Sequence, residues 1–259
     1  MLKRTLASVA FVALAGTAMA ADLPSRKGPV AVPYAPMFTW TGFYIGAHAG
    51  GIFSDNDIDT QGTAANTIGN VAAFRRPPTV GTNESGFMGG AQIGYNYQMA
   101  NWVFGVEADI SYTDVKKRVS FLGTSGATSN FQQDMEYFGT VRLRAGYAFD
   151  RLLVYATGGL AYGDASNSAT FFSGTVPGQI DYVGSKSDTR FGWTIGGGLE
   201  YAFTNNLSVK AEYLYYDLGK QSIPVVLTAV GPAGGSYVSK FDNTGHVARV
   251  GLNYRFSTF

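Results

Sequence analysis

The side chains that could perform acid–base or metal chemistry are few in this sequence. It contains two histidines, His48 and His246, and no cysteine, which excludes a thiolate metal site, a thiol nucleophile and a disulfide scaffold. Ser239 and Asp242 precede His246, but no fixed spacing joins the three residues into a nucleophile and its base. We therefore predict that the chain is not an enzyme and uses no metal or cofactor, and that His48 is a hydrogen-bonded interior residue.

Charged residues at alternating positions form the second candidate group, because they interrupt segments rich in glycine and other small residues. The group comprises Glu107, Asp109, Arg142, Arg144, Glu200, Lys210, Glu212, Arg249 and Arg255. Five are basic and four are acidic, so the charges can pair, as a low-dielectric interior requires. Two interpretations are open: a closed interior packed by a polar network, or a pore lined by charged side chains.

The elements that position these residues are predicted to be β-strands, because residues 40–259 alternate with a period of two. On one face of eight segments, fifty positions carry no Asp, Glu, Lys or Arg, whereas a chain that is 14% charged would place about seven there. The predicted strands span about 40–53, 85–98, 102–114, 135–149, 152–163, 189–203, 206–217 and 243–256. The nine charged residues and many glycines share the opposite face.

The short turn between the sixth and seventh strands makes a specific prediction about register. Phe203 and Leu207 both belong to the apolar face, so the turn contains the three residues 204–206. Glu200 then lies directly across from Lys210, and directly opposed Cβ atoms are ~4.5–5.5 Å apart. We predict an ion pair between these two side chains.

The apolar face is predicted to point outward, into a bilayer. An eight-stranded barrel has an interior just wide enough for side chains, and fifty positions rich in Trp, Tyr, Phe and Leu would overfill it. Aromatic residues gather at both ends of the strands, as the two girdles of a membrane barrel do. Three connections are short and four are long, at 54–84, 115–134, 164–188 and 218–242, which is also typical of such barrels. The fold is therefore predicted to be an all-β, eight-stranded, antiparallel transmembrane β-barrel with an up-and-down meander.

Three consecutive cations, Lys116, Lys117 and Arg118, follow the third strand at the rim of this barrel. Clustered cations at a headgroup boundary attract anionic lipid, so one interpretation is a phosphate clamp for lipopolysaccharide. The other interpretation is an ordinary solvated loop. The whole chain has 19 basic and 18 acidic residues, and this balance does not indicate nucleic-acid binding.

The N-terminal segment has the pattern of an export signal. Lys3 and Arg4 precede an apolar stretch, which ends at the small-residue cleavage pattern Ala18-Met19-Ala20. We predict a signal peptide over 1–20, a Pro-rich periplasmic linker over 21–39, and an outer-membrane barrel over 40–259. The linker is not expected to bury a core.

Several motifs resemble the alphaproteobacterial outer-membrane immunogenic proteins, small OmpA-like β-barrels often grouped as porins. The motifs are Ala21-Asp22-Leu23-Pro24, Trp40-Thr41-Gly42-Phe43-Tyr44-Ile45-Gly46 and Gly251-Leu252-Asn253-Tyr254-Arg255-Phe256. The resemblance implies a Gram-negative outer membrane, extracellular loops, periplasmic termini, and contact with outer-membrane lipid and lipopolysaccharide. It also implies that the barrel-assembly machinery reads a terminal aromatic, for which Tyr254, Phe256 and Phe259 are the candidates.

The expected function is that of a structural outer-membrane protein, a surface antigen that stabilises the envelope and displays its loops. A narrow porin for small solutes or ions is the alternative, and surface binding of haem or lipopolysaccharide is a third. The sequence leaves the oligomeric state open.

Overall fold

The computed structural model describes residues 38–228 and 234–256, and in them ten antiparallel strands form one closed sheet. The strands are β1 (Gly42–Gly62), β2 (Thr79–Met99), β3 (Trp102–Leu122), β4 (Thr128–Phe149), β5 (Leu152–Phe172), β6 (Ile180–Ala202), β7 (Leu207–Asp217), β8 (Gln221–Leu227), β9 (Tyr237–Phe241) and β10 (Thr244–Arg255). One helix, α1 (Ala65–Ala72), lies between β1 and β2. The described part of the chain contains no helix long and apolar enough to cross a membrane. The predicted signal peptide and residues 21–37 of the linker lie outside the described residues.

The sheet closes as a ring of eight strands in each of its two halves. In the half nearer the short turns the order is β1 to β7 followed by β10, which pairs back to β1. In the other half β8 and β9 replace β7 and β10, because β9 pairs with β1 and β8 pairs with β6. The bend between the halves is held by Leu218 N–H, which donates to Asn243 O over 2.9 Å, and by Gly219 at φ +74°. This ring confirms the predicted eight-stranded meander.

The strands are longer than predicted, so the four expected long loops are wrong in extent. Three of them shrink to the connections 63–78, 123–127 and 173–179, and the fourth predicted loop, 218–242, contains the strands β8 and β9. A strand of 21 residues such as β3 spans ~70 Å at ~3.3 Å per residue, although ~9–11 residues suffice to cross a bilayer. The predicted strands ended too early because the outward-facing residues become polar beyond the predicted ends. The alternation of apolar and polar residues is lost at that point, although the backbone pairing continues.

The apolar face points outward over the shorter-turn half of the ring. Leu143 is 71% exposed, whereas its neighbour Arg142 is 1% exposed. The opposite face cannot carry large side chains everywhere: a Cβ at Gly198 would lie 2.7 Å from the hydroxyl oxygen of Tyr155. This distribution is the inverse of a soluble barrel, in which the apolar face fills the interior.

The interior consists of layers, which the sequence did not predict. Small and polar residues occupy only part of the inward face, and two apolar layers lie between the polar network and the long-connection end. The first includes Ile52, Met88, Phe138, Leu214 and Val247, and the second includes Ile58, Phe131, Phe171, Tyr237 and Phe241. A third apolar cluster around Trp40 and Leu153 covers the short-turn end.

A β-bulge in β4 explains how the interior packing changes. The register with β3 and β5 shifts around Met135–Phe138, so that Met135 and Phe138 both point inward. The carboxylate of Asp164 accepts hydrogen bonds from the backbone amides of Glu136 (2.7 Å) and Tyr137 (3.0 Å), which the bulge leaves unpaired.

Candidate functional site

The charged residues on the inward face form one buried network near the short-turn half of the barrel. Glu107 lies at its centre: Lys210 Nζ donates to its two carboxylate oxygens over 2.7 and 2.9 Å, and Tyr44 donates over 2.8 Å. Arg142 donates to the same carboxylate. Glu107, Lys210 and Arg142 are each at most 2% exposed.

Arg249 joins two further carboxylates to this centre. Its two terminal nitrogens bind Asp109 in a bidentate pair with both distances at 3.0 Å. Its Nε donates to Glu212 over 2.8 Å. Arg142 Nη1 donates to the other oxygen of Glu212 over 2.9 Å. Bidentate, fully hydrogen-bonded pairs of this kind are the strong form of a buried ion pair.

Arg144 and Glu200 complete the network, and their pairing corrects one prediction. The register places Glu200 directly across from Lys210, as the three-residue turn predicted. The predicted ion pair between the two side chains is wrong, because the Glu200 carboxylate instead accepts a hydrogen bond of 2.8 Å from Arg144. In a narrow lumen a long side chain reaches past its neighbour, and Lys210 therefore binds Glu107 on the opposite wall.

Arg255 does not belong to the network, contrary to the prediction. It lies at the short-turn end, where its guanidinium is over the rings of Phe38 (4.6 Å) and Trp40 (5.1 Å) and donates to Asn205 O over 2.7 Å. Phe38 therefore packs against the barrel, although the linker was predicted to bury nothing. Without Arg255 the network contains four cations and four carboxylates, so its formal charge is zero.

The two histidines lie apart, in different surroundings. His48 lies beside the network, with Nδ1 3.0 Å from Gln92 Oε1 and Nε2 2.7 Å from Ser111 Oγ. His246 lies on the outer wall, with Nδ1 2.8 Å from the hydroxyl of Tyr213. Ser239 is buried and within 3.1 Å of Thr60 Oγ1, and the structure does not bring it to His246.

The three consecutive cations lie on β3 rather than in a loop. Lys116 and Arg118 are exposed on the outer face, whereas Lys117 is 3% exposed and points inward. Successive side chains of a strand point to opposite faces, so Lys117 cannot join the other two in a clamp. That part of the prediction is wrong.

A second polar site, not predicted as a unit, closes the long-connection end of the barrel. Arg76 is 5% exposed and donates to the backbone oxygens of Thr128 (3.1 Å) and Phe172 (2.8 Å). Asp181 lies 3.9 Å from it. Burial lowers the pKa of the Arg76 guanidinium below its usual value, and Tyr237 and Asp181 oppose this shift. Arg75-Arg76 before Pro77-Pro78 was the available sequence signal, but sequence cannot show which of the two arginines is buried.

Comparisons with known proteins agree with this architecture. Residues 7–256 match the outer membrane protein beta-barrel domain family. The chain belongs to that family. It is 38% identical to the 31 kDa outer-membrane immunogenic protein of Brucella melitensis, over 97% of this chain and 98% of the relative. It is 31% identical to a 22 kDa outer membrane protein of Rhizobium leguminosarum bv. viciae, over 71% and 67% of the two chains. OprG of Pseudomonas aeruginosa shares the fold, with a TM-score of 0.52 at 15% identity, over 85% of this chain and 99% of OprG.

Membership in the outer membrane protein beta-barrel family gives the ring a direction. The chain is an outer-membrane protein of a Gram-negative bacterium, with the short turns periplasmic and the long strand ends extracellular. Lys116 and Arg118 then lie on the extracellular side of the outward-facing Tyr112. Tyr254 and Phe256 are 50% and 48% exposed on the lipid side near the periplasmic end. Phe259, the third candidate assembly signal, lies outside the described residues.

Proposed function

We propose that this chain is a structural outer-membrane protein whose barrel is sealed, and that it stabilises the envelope and displays its extracellular strand ends. The observation that carries the proposal is the direction of the ion pairs. In the ring β3 and β7 are four strands apart, which places them on opposite walls. Glu107 on β3 binds Lys210 on β7, so this pair crosses the lumen along its diameter.

Other ion pairs of the network also join strands that are not neighbours. Arg142 on β4 binds Glu212 on β7, and Arg249 on β10 binds Asp109 on β3. A row of charges lining a pore would leave the centre to water, whereas these pairs occupy the centre. Removing one partner of a buried pair costs about 3–5 kcal/mol, so an ion that had to open the network would meet a large barrier.

Layers on both sides of the network support the same proposal. On the extracellular side Phe138 and Leu214 are 0% exposed in a continuous apolar layer. On the periplasmic side Trp40 is 1% exposed, and its indole nitrogen donates to Asp150 O over 3.1 Å. These layers weigh against the narrow porin, the alternative function.

Conductance across a planar bilayer tests the proposal. The refolded, heat-modifiable full-length protein should give no stable open level in salt solution, whereas a general porin measured in the same bilayers should conduct. A stable open level of the wild-type barrel would overturn the proposal. If Arg142→Gln then altered the ion selectivity of that level, the narrow porin would be the better description.

Two further parts of the proposal concern partners. Lys116 and Arg118 are exposed, two positions apart and outside the aromatic girdle, which suits contact with lipopolysaccharide phosphates. Substituting both with Gln should weaken lipopolysaccharide retention by the purified barrel, whereas substitution of the inward-facing Lys117 should change stability instead.

Tyr254 and Phe256 suit recognition by the barrel-assembly machinery. Assembly assays with each residue changed to Ala would test which of the two aromatic residues is recognised.

We also propose that the barrel performs no catalysis. The support is the separation described above: His246 binds a tyrosine on the outer wall, whereas Ser239 is buried in the interior. A fluorophosphonate probe should leave Ser239 unlabelled in the folded protein, and labelling would contradict this part of the proposal.

A further inference from the structure

The extracellular end of the barrel carries an open cavity of about 460 Å³. Small-molecule sites usually have volumes of ~300–1,000 Å³, so the cavity is large enough for a ligand of one or a few rings. Its walls come from three connections: 63–78, which contains α1, and the turns 123–127 and 173–179. We call this cavity the cup. It is distinct from the charged network, because two apolar layers separate the two sites.

The walls of the cup are tied to one another and to its floor. The turn 123–127 is bound to the end of the α1 connection, since Thr124 donates through its amide to Phe74 O (3.0 Å) and through its hydroxyl to Ala73 O (2.9 Å). Asn70 of α1 donates to the hydroxyl of the buried Tyr237 over 3.0 Å. The cup is therefore preformed, which lowers the entropic cost of binding.

A strained residue directly precedes the two consecutive arginines of the cup. Phe74 has φ +55°, a left-handed conformation that is unusual for a bulky side chain. Arg76, two residues further on, points down into the barrel, where wall carbonyls and Asp181 bind it. The Arg75 side chain remains exposed at the cup, where its guanidinium makes a long hydrogen bond of 3.5 Å to Asn70 Oδ1. Arg76 therefore stabilises the cup, and Arg75 is available to a ligand that enters it.

Charge and composition narrow the chemistry of the ligand. Among the described residues that line the cup, Arg75 and Arg76 carry positive charges and Asp181 carries a negative one, so the lining has a net charge of +1. Asp181 is engaged by Arg76 and by Gln179, which donates to it over 2.8 Å. The excess positive charge is therefore that of Arg75. The remaining polar side chains carry hydroxyls and amides, and they include Ser125, Ser173, Thr175, Asn70 and Gln179 as well as two tyrosines.

We infer that the cup binds a short acidic saccharide, with a sugar carboxylate on the Arg75 guanidinium and sugar hydroxyls on the surrounding amides and hydroxyls. A guanidinium matches a carboxylate in a bidentate pair, and a lining rich in hydroxyls and amides matches a polyol. A purely apolar ligand would displace water from these polar groups without replacing the hydrogen bonds of that water, and a polyanion would exceed the single spare charge. The inference goes beyond the proposed structural role and does not depend on a closed lumen.

Binding to the refolded full-length protein in lipid nanodiscs tests the inference. The probe is the disaccharide of glucuronic acid and N-acetylglucosamine, which carries one carboxylate, and maltose is the neutral control. We expect the acidic probe to bind at least tenfold more tightly than the neutral one. Arg75→Gln should remove that tenfold difference, whereas Lys186→Gln, which changes an exposed cation on β6 outside the cup, should leave it intact.

The source of the saccharide is tested in separate arms, because the same chemistry occurs in the bacterium's own polysaccharide and in the glycans of other cells. Lipid-free polysaccharide from the producing strain should compete with the probe if the ligand is its own. Competition only by glycans of other cells would identify those cells as the source of the ligand. Either result supports the inference that the cup binds an acidic saccharide. Three results would overturn the inference: equal binding of the acidic and neutral probes, a loss of binding in Lys186→Gln equal to that in Arg75→Gln, or no binding of either probe to a heat-modifiable barrel.

Discussion

Removal of the central carboxylate, Glu107→Gln, tests the charged network most directly. The four cations and four carboxylates sum to zero, so the substitution leaves a buried net charge of +1. Glu107 accepts hydrogen bonds from Lys210, Arg142 and Tyr44, and all of these donors are buried. Breaking a buried pair in this way costs about 3–5 kcal/mol. We expect a loss of that size in the free energy of unfolding.

The assay is urea unfolding of the barrel in phospholipid vesicles, followed by tryptophan fluorescence and by heat-modifiable mobility. Glu136→Gln is the matched control, because Glu136 is an exposed glutamate on β4, and it should change stability by no more than ~0.5 kcal/mol. The double variant Glu107→Gln, Lys210→Met restores three cations against three carboxylates. It should lose less stability than the sum of the single variants, by ~1–3 kcal/mol. If Glu107→Gln were as mild as Glu136→Gln, or if the two network changes were additive, the network would not be the unit described.

Three other predictions concern the wall and the strand ends. Leu143→Arg should cost roughly 2–4 kcal/mol in vesicle refolding, whereas Leu122→Arg, equally exposed at 71% but at the extracellular end, should cost little; equal losses would contradict the position of the bilayer. Asp164→Ala removes the carboxylate that holds the β4 bulge and should lower stability by ~1–3 kcal/mol in the same urea assay, and an unchanged midpoint would mean that water replaces it fully. Protease added to intact cells should cut within 173–179 and spare 204–206, as mapped by mass spectrometry, and cleavage confined to 204–206 would invert the orientation.

The barrel wall could be predicted from sequence because its signal is local. Alternation around Leu143 and Val250 requires only that neighbouring residues point to opposite faces, and the turn 204–206 fixes the register of Glu200 with Lys210 for the same reason. These features depend on a few consecutive residues and on the bilayer, which selects apolar side chains at each outward position.

The interior was harder to predict because its contacts cross the ring. The sequence placed Lys210 and Glu107 on the inward face, but nothing local shows that they bind each other across the diameter. Arg255 also lies at an inward-facing position, but it is close to the periplasmic end of β10, and its guanidinium therefore packs over the ring of Phe38 instead. The extracellular halves of the strands were missed because polar residues such as Lys116 replace the apolar ones on the outward face. There, burial of Lys117 is visible only in three dimensions.

The continuation of paired strands beyond the bilayer limits how this surface can change in evolution. Inserting one residue into the extracellular half of β3 would turn Lys117 outward and a solvent-facing cation inward, because a one-residue slip exchanges the two faces of a strand. Changes of length should therefore accumulate in connections such as 123–127 and 173–179. Along the exposed strands, variation should instead be confined to every second position, so that related bacteria present surfaces that differ in side chains but share one backbone.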